Sequence, residues 1–145
     1  MIATKTEIKT LAFNANFDIN SVKDNVIQIV EWEQVMSFLG TELYDDLVST
    51  PASYTTLLTF IKPLIAHAVR AQIIMGVHVK TGNKGAQTAN GSNETIADPN
   101  QVKREAMQLV ESYRKQAIKW LNDNKPALWK GEVEYPNIIN KIIVM

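Results

Sequence analysis

The sequence predicts a mainly α-helical fold: a bundle of about four helices with a small β-hairpin or long loop and an extended C-terminal tail. Apolar residues recur at helical spacing over several stretches, and turn-forming residues separate those stretches. A length of 145 residues fits one domain. We expect a helical domain over residues 1–125, from which a loop at residues 81–98 projects, and then a C-terminal tail or arm over residues 126–145.

The first long helix is predicted between Val22 and Gly40. Ser21 is a suitable N-cap for this helix, and Gly40 is a suitable stop. Residues 1–20 are expected to be extended and then turn-like, because Asn and Asp recur in them. The alternative for Val26–Val30 is a strand, since most of these residues are β-branched.

Two further helices are predicted in the middle of the chain. Thr41 is expected to cap a short helix that ends before Pro51. The next helix runs from about Ser53 to Val77 and is apolar around most of its circumference, which is typical of the centre of a bundle. Pro63 lies inside it and should kink or split it. Charged residues interrupt this stretch, so we expect a core helix and not a membrane span.

The segment after this helix differs in composition. Val77–Thr81 alternates apolar and polar residues, which predicts a short strand. Asn90-Gly91 is a tight-turn dipeptide, so residues 81–98 are expected to form a long loop or a ragged hairpin. Asp98 followed by Pro99 then predicts the start of the last helix.

The last helix is predicted to be amphipathic. Its apolar residues fall on one stripe: Val102, Ala106, Leu109, Val110, Tyr113, Ala117, Trp120 and Leu121. Its outer face is basic and carries Lys103, Arg104, Arg114, Lys115 and Lys119. We expect the apolar stripe to pack against the bundle.

The charged residues balance overall and are unevenly distributed. Fifteen basic and fifteen acidic residues give no reason to expect nucleic-acid binding. Residues 1–50 hold three Lys and eight acidic residues, whereas residues 101–145 hold eight basic and five acidic residues. This asymmetry fits a head-to-tail contact between copies, and chance variation on a solvated surface explains it equally well. The chain has no cysteine, which excludes disulfides, thiolate metal sites and a cysteine nucleophile.

Few residues of the sequence suggest a catalytic or metal-binding site. Glu42, Asp45 and Asp46 cluster on one helical face, where they form either a divalent-cation site or, as we favour, a solvated face. His67 and His78 would lie about 16 Å apart along one helix, too far to share a metal ion. We expect a packed His67, an exposed His78 and no catalytic centre, metal or cofactor.

The C-terminal segment Ile138–Met145 is apolar and β-prone. Left free, it would be an aggregation hazard. It must therefore be covered, either by packing on its own domain or by adding as a strand to a neighbouring molecule.

Two stretches resemble a known family. The first has the sequence Glu31-Trp-Glu-Gln-Val-Met-Ser-Phe-Leu-Gly-Thr-Glu-Leu-Tyr-Asp-Asp-Leu47. It is similar to the helix, Leu-Gly and Leu-Tyr-x-x-Leu segment of tailed-phage head–tail connector proteins, also called head-completion or adaptor proteins, from phages and prophages of Bacteroidetes-type hosts. The second is the order that follows: an apolar helix, a Val-rich hairpin with a Gly-rich tip, and a helix resembling Lys103–Leu121. The resemblance covers residues 20–125.

The resemblance implies a structural virion protein without enzymatic activity. Such proteins form a neck ring, commonly of twelve copies, between portal and tail around the DNA channel, and they assemble in the bacterial cytoplasm. The implied partners are further copies of this chain, the portal protein, tail or other neck proteins and passing DNA, with no membrane.

The resemblance also implies which residues meet those partners. Members use the hairpin loop to line or narrow the channel, which here points to Lys80, Asn83, Lys84 and Asn90. Their C-terminal tail reaches a neighbouring copy or the portal, which here points to Trp129, Tyr135, Ile138, Ile139, Ile142 and Ile143. The long Gly- and Asn-rich loop of this chain departs from the family pattern.

Two other functions remain open. One is a small helical DNA-binding or regulatory module of a phage or prophage, which would use the basic face of the last helix. The other is an enzyme in which the Glu42, Asp45 and Asp46 cluster binds a metal ion.

Overall fold

The computed structural model describes residues 1–82 and 98–131. Six α-helices are present in these ranges: α1 Lys5–Ala12, α2 Asp24–Glu31, α3 Ser37–Leu39, α4 Thr41–Ser49, α5 Thr55–Gly82 and α6 Pro99–Asn124. A π-helical turn, Trp32–Met36, joins α2 to α3, and 3₁₀ turns lie at Ile19–Ser21 and Pro51–Tyr54. The described part of the chain contains no strand, and the predicted mainly α class is confirmed.

Helix α5 is the centre of the bundle. It packs along α6, α1 and α2, and Leu57, Ile61 and Ile65 on it are fully buried. Pro63 is also buried, and α5 remains one helix through it, so of the two predicted outcomes, a kink or a split, the split is excluded. A proline removes one backbone donor, and packing on both sides of the helix offsets that loss because tertiary contacts supply most helical stability in proteins.

Helix α1 was not expected, since residues 1–20 were predicted to be extended and turn-like. Thr4 and Glu7 form a capping box: the Glu7 N–H donates to Thr4 Oγ1 at 3.2 Å, and the Thr4 N–H donates to Glu7 Oε2 at 2.9 Å. Ile8 is fully buried, and Lys62 Nζ on α5 donates to Glu7 Oε1 at 2.7 Å. The capping box and the buried Ile8 therefore favour a helix over the extended chain.

The start of α2 also differs from its prediction. Ser21 belongs to the 3₁₀ turn, which the Asp18 side chain caps by accepting from the Asn20 N–H at 3.1 Å. Helix α2 begins three residues later, after Lys23, without a side-chain cap. The strand alternative over Val26–Val30 is excluded, because burial of the helical stripe outweighs the weak β-preference of these residues.

Gly40 separates α3 from α4 as predicted. Its φ of 82° lies in the region that residues with a side chain rarely adopt, and the chain reverses direction there. Thr41 is the first residue of α4 and not its cap, because Gly40 occupies the cap position. The expected break at Pro51 is present, since α4 ends at Ser49 and Pro51 opens a 3₁₀ turn.

The predicted strand over Val77–Thr81 is wrong, because α5 continues as a helix to Gly82. Extending an existing helix adds one hydrogen bond per residue, whereas a short strand needs a paired partner to be stable. The remainder of the predicted loop or hairpin, residues 83–97, lies outside the described residues.

The start of α6 is confirmed. Asp98 Oδ1 accepts from the Asn100 N–H at 3.0 Å, and Pro99 is the first helical residue. Four residues of the predicted stripe are fully buried: Ala106, Val110, Ala117 and Leu121. Leu109 departs from the prediction, since 41% of it is exposed at the edge of the packed face.

One stretch, Pro51–Ile74, is long and apolar enough to cross a membrane by length and composition alone. Half of its most apolar window is buried inside the bundle. Packing in the core accounts for this composition, in line with the expected core helix.

His67 is packed between α5 and α6. Its ring stacks on Tyr113 with centroids 6.1 Å apart, and its buried Nδ1 has no hydrogen-bond partner among the described residues. Burial, together with the positive charge of Arg70, lowers the pKa of His67 below its usual value. The folded state therefore favours a neutral His67.

Acidification should destabilise the fold through His67. Because the unfolded histidine binds a proton more readily than the folded one, the free energy of unfolding should fall as the pH drops below about 6.5. Urea unfolding at a series of pH values measures this slope, which His67→Gln should reduce. An unchanged slope in His67→Gln would contradict the assignment.

Candidate interaction surface

A buried carboxylate organises the surface around α2. Glu31 is fully buried, and both of its oxygens accept from the Ile2 N–H at 2.9 Å. Glu31 Oε2 also accepts from the Ala3 N–H at 3.2 Å, and Tyr44 donates its hydroxyl to Glu31 Oε1 at 2.7 Å. Hydrogen bonds to an ionised acceptor are stronger than neutral ones, so these donors replace the lost water. The carboxylate thereby joins the start of the chain, α2 and α4.

Tyr44 connects the two ends of the Glu31–Leu47 segment. Burial, followed by the hydrogen bond to Glu31, raises the pKa of Tyr44 well above its usual value, so the hydroxyl stays protonated and donates. The same hydroxyl accepts from Gln28 Nε2 at 3.0 Å. Helices α2 and α4 are therefore held together across the turn at Gly40.

A π-helical turn follows Glu31 directly. It spans Trp32–Met36, and its Val35 is fully buried while Trp32 is 51% exposed. Single π-turns inside α-helices change the face on which the following side chains lie, and they are frequent at functional sites. Here the turn follows the buried carboxylate and begins at an exposed indole.

Three exposed apolar side chains lie together beside this turn. Met1, Ile29 and Trp32 are 45%, 43% and 51% exposed, and they line an open groove of about 540 Å³. Three polar residues complete the lining: Asp24, Asn25 and Gln28. We call this feature the Trp32 groove. Apolar side chains gathered at one surface position are typical of an interaction site.

The rim of the Trp32 groove is acidic. Asp24 is exposed, and its nearest ion-pair partner is Lys5, whose Nζ lies 3.6 Å from Asp24 Oδ1. Glu33 is also exposed, but it lines a different cavity together with Gln34 and Lys103 and is not part of this rim. An exposed pair at this distance contributes little to stability, so Asp24 remains available to another cation.

A second, smaller cavity of about 180 Å³ lies at the opposite end of α1. Phe13 and Phe17 stack there with ring centroids 4.2 Å apart. Arg70, Ile73 and Ile74 of α5 close it. The stacked rings and Ile73 pack α1 and the following turn onto α5.

The outer face of α6 is basic but narrower than predicted. Arg104 and Lys115 are exposed, and Lys119 pairs with Asp123 at 2.8 Å. Arg114 leaves the predicted outer face: it is half-buried, and its Nη2 donates to Gln34 Oε1 at 3.2 Å. Arg114 therefore joins α6 to the π-turn.

The carboxylates of α4 do not converge. The Tyr54 hydroxyl donates to Asp46, and this hydrogen bond raises the pKa of Tyr54 to about 12. Glu42 Oε1 lies 3.6 Å from Lys130 Nζ, while Asp45 is exposed. No group of three or more histidine, aspartate or glutamate residues within 1–82 and 98–131 is arranged to hold a metal ion.

Trp129, a predicted interface residue, packs on its own domain. It is half-buried against the core, and its Nε1 donates to the Phe38 carbonyl at 3.0 Å. The other predicted interface residues lie beyond the described part of the chain: Tyr135, Ile138, Ile139, Ile142 and Ile143. Of the predicted channel residues, Lys80 lies on α5, and the remaining three are outside the description: Asn83, Lys84 and Asn90.

The sequence analysis missed the Trp32 groove. It gave no reason to expect Ile29, inside the predicted Val22–Gly40 helix, at the surface, where the structure leaves 43% of it exposed. The available signal was Trp32 itself, a large apolar residue between Glu31 and Glu33. Met1 could not be added from the sequence, because its position depends on the bond between Ile2 and Glu31.

Comparison with known proteins gives one family. Residues 14–139 match the model of the Family of unknown function (DUF6712). The chain belongs to this family. The match includes α2 to α6 and the groove residues Ile29 and Trp32, but not Met1. No curated protein and no solved structure matches the chain.

Removing the buried carboxylate should destabilise the fold strongly. Glu31→Ala leaves the donors of Ile2, Ala3 and Tyr44 without their acceptor, and we expect a loss of about 3 kcal/mol in the free energy of unfolding. Tyr44→Phe removes one donor and should cost about 1–2 kcal/mol. Urea denaturation measures both. Glu33→Ala, an exposed control, should stay within about 0.5 kcal/mol, and a similar cost in Glu31→Ala and Glu33→Ala would contradict the anchoring role.

Alanine substitutions at two isoleucines of α2 should distinguish a core position from a groove position. Ile27 is fully buried, so Ile27→Ala should cost about 3 kcal/mol of unfolding free energy. Ile29 is 43% exposed, so Ile29→Ala should cost about 1 kcal/mol. Each variant is the control for the other, because the same substitution is made two residues apart. Equal losses of unfolding free energy by urea denaturation would show that Ile29 is a core residue.

Proposed function

We propose that this protein is a structural virion protein, a head–tail connector or adaptor that forms a ring between portal and tail around the DNA channel. In this role it binds further copies of itself, the portal protein and tail or neck proteins, and it performs no catalysis. It assembles in the host bacterial cytoplasm. The observation that carries the proposal is the distribution of exposed charge over different helices of one subunit.

Exposed acidic residues predominate on α2 and α4. Basic residues are in slight excess on the exposed face of α6, where Lys103, Arg104, Lys115 and Lys119 accompany Glu105, Glu111 and Asp123. Asp24 lines the Trp32 groove, and Asp45 is exposed on α4. Arg104 and Lys115 are exposed on α6, which packs on α5. Opposite charges on two surfaces of one subunit allow the acidic surface of one copy to face the basic surface of the next. A contact of this head-to-tail kind generates a ring when its rotation closes.

The resemblance of Glu31–Leu47 to connector proteins supports the same role. Glu31 and Tyr44 lie near the two ends of this segment and are joined by a hydrogen bond of 2.7 Å. The similar residues therefore include a pair that stabilises a helix–turn–helix unit. The family matched by residues 14–139 carries no assigned function, so the role rests on this resemblance and on the charge distribution.

Assembly with the portal protein tests the proposal. We expect the chain, co-expressed with the portal protein of the same phage or prophage, to give ring-shaped particles in electron microscopy and a multi-copy complex in native mass spectrometry. Arg104→Glu/Lys115→Glu should weaken that assembly by placing like charges at the contact. The control Lys9→Glu/Lys23→Glu makes the same charge change on the acidic side and should assemble. A chain that stays monomeric and does not bind the portal contradicts the proposal.

The basic face of α6 also supports one alternative, a small helical DNA-binding or regulatory module. Arg104 and Lys115 are exposed and have no carboxylate partner among the described residues. Binding to duplex DNA that weakens steeply with salt, and that Arg104→Glu/Lys115→Glu abolishes, would favour the module over the connector.

A further inference from the structure

The Trp32 groove has no occupant among the described residues, and the chain holds one segment suited to it. We propose that, in the free subunit, residues 138–144 of the C-terminal tail lie in the Trp32 groove of the same chain. This inference concerns the subunit before assembly and does not depend on the connector role.

The segment and the groove match in polarity. Five of the seven residues from Ile138 to Val144 are isoleucine or valine. The groove offers the exposed side chains of Met1, Ile29 and Trp32. Bringing the two apolar surfaces together removes both from water, which is favourable in proportion to the area buried. It also protects a segment that would otherwise promote aggregation.

The tail leaves the domain within reach of the groove. The Trp129 indole is bonded to the Phe38 carbonyl, and Lys130 lies near Glu42, so the chain is attached to the bundle up to this point. Phe38 follows Trp32 by six residues, roughly 9 Å along a helix axis. Residues 132–137 can span roughly 20 Å when extended. Ile138 can therefore reach the groove of its own chain.

Attachment favours the same chain over a second copy. A segment joined to its site by a short flexible linker experiences an effective concentration in the millimolar range. Free subunits at micromolar concentration cannot compete with that value when the linker spans the distance. The tail should therefore occupy its own groove before a partner is present.

Charge complements the apolar match. Lys141 lies between the two isoleucine pairs of the segment, and the groove rim carries Asp24. Asp24 has only Lys5 at 3.6 Å as a described ion-pair partner. A lysine at the rim adds little affinity, but it selects the direction in which the segment lies.

Tryptophan fluorescence of the full chain tests whether the groove is covered. Ile142→Asp/Ile143→Asp should release the segment, increase acrylamide quenching and shift the emission to longer wavelength. The control Val133→Asp/Asn137→Asp adds the same charge to the tail outside residues 138–144 and should leave both readouts unchanged. In a Trp32→Phe background the effect of the isoleucine variant should disappear. Unchanged quenching in Ile142→Asp/Ile143→Asp, with Trp32 present, overturns the proposal.

A disulfide tests whether the occupant is the same chain. Because the protein has no cysteine, Asn25→Cys/Asn140→Cys introduces one pair, with Asn25 in the groove. Mild oxidation at low protein concentration should consume both thiols and leave a monomer on a non-reducing gel. Gln116→Cys/Asn140→Cys, with Gln116 on the outer face of α6, should keep its free thiols. Covalent dimers of the first variant, or no reaction, overturn docking in the same chain.

Discussion

The carboxylate of Glu31 determines how the first half of this protein is arranged. A buried charge is costly unless donors surround it, and the backbone of residues 2 and 3 together with the Tyr44 hydroxyl supplies those donors. The start of the chain therefore lies against α2, and α4 folds back on it after Gly40. The donors belong to two distant parts of the chain, residues 2–3 and Tyr44, so the arrangement is cooperative. The packing of α1 and α2 against α5, and of α4 against α2, depends on this interaction.

The same anchor produces the surface that we consider functional. Because Ile2 is bonded to Glu31, Met1 lies beside Ile29 and Trp32. These three side chains line an apolar groove whose rim carries Asp24. The basic residues Arg104 and Lys115 lie on α6. One subunit thus presents an acidic surface with an apolar groove and, on another helix, a basic surface. Such a subunit is suited to head-to-tail association, and covering its groove before assembly would limit unspecific contacts.

Sequence reasoning succeeded for two local signals, overlooked a third, and failed where distant residues decide. The Asp98–Pro99 helix start and the Gly40 turn were predicted correctly, because each depends on its own backbone and side chain. The strand over Val77–Thr81 was predicted from alternation and is helical, since α5 continues into it. Helix α1 was missed although Thr4 and Glu7 form a capping box with a recognisable spacing.

The sequence by itself determined the mainly α class, the central apolar helix and the amphipathic last helix, because hydrophobic periodicity is a property of the chain alone. Only the tertiary structure decided that Glu31 is buried while Glu33 is exposed, and that Ile29 faces water while Ile27 lies in the core. Both pairs are two residues apart on one helix, and their environments depend on which face meets α5, α4 and the start of the chain. Periodicity indicates that a face is buried, but the partners of that face are selected by long-range contacts.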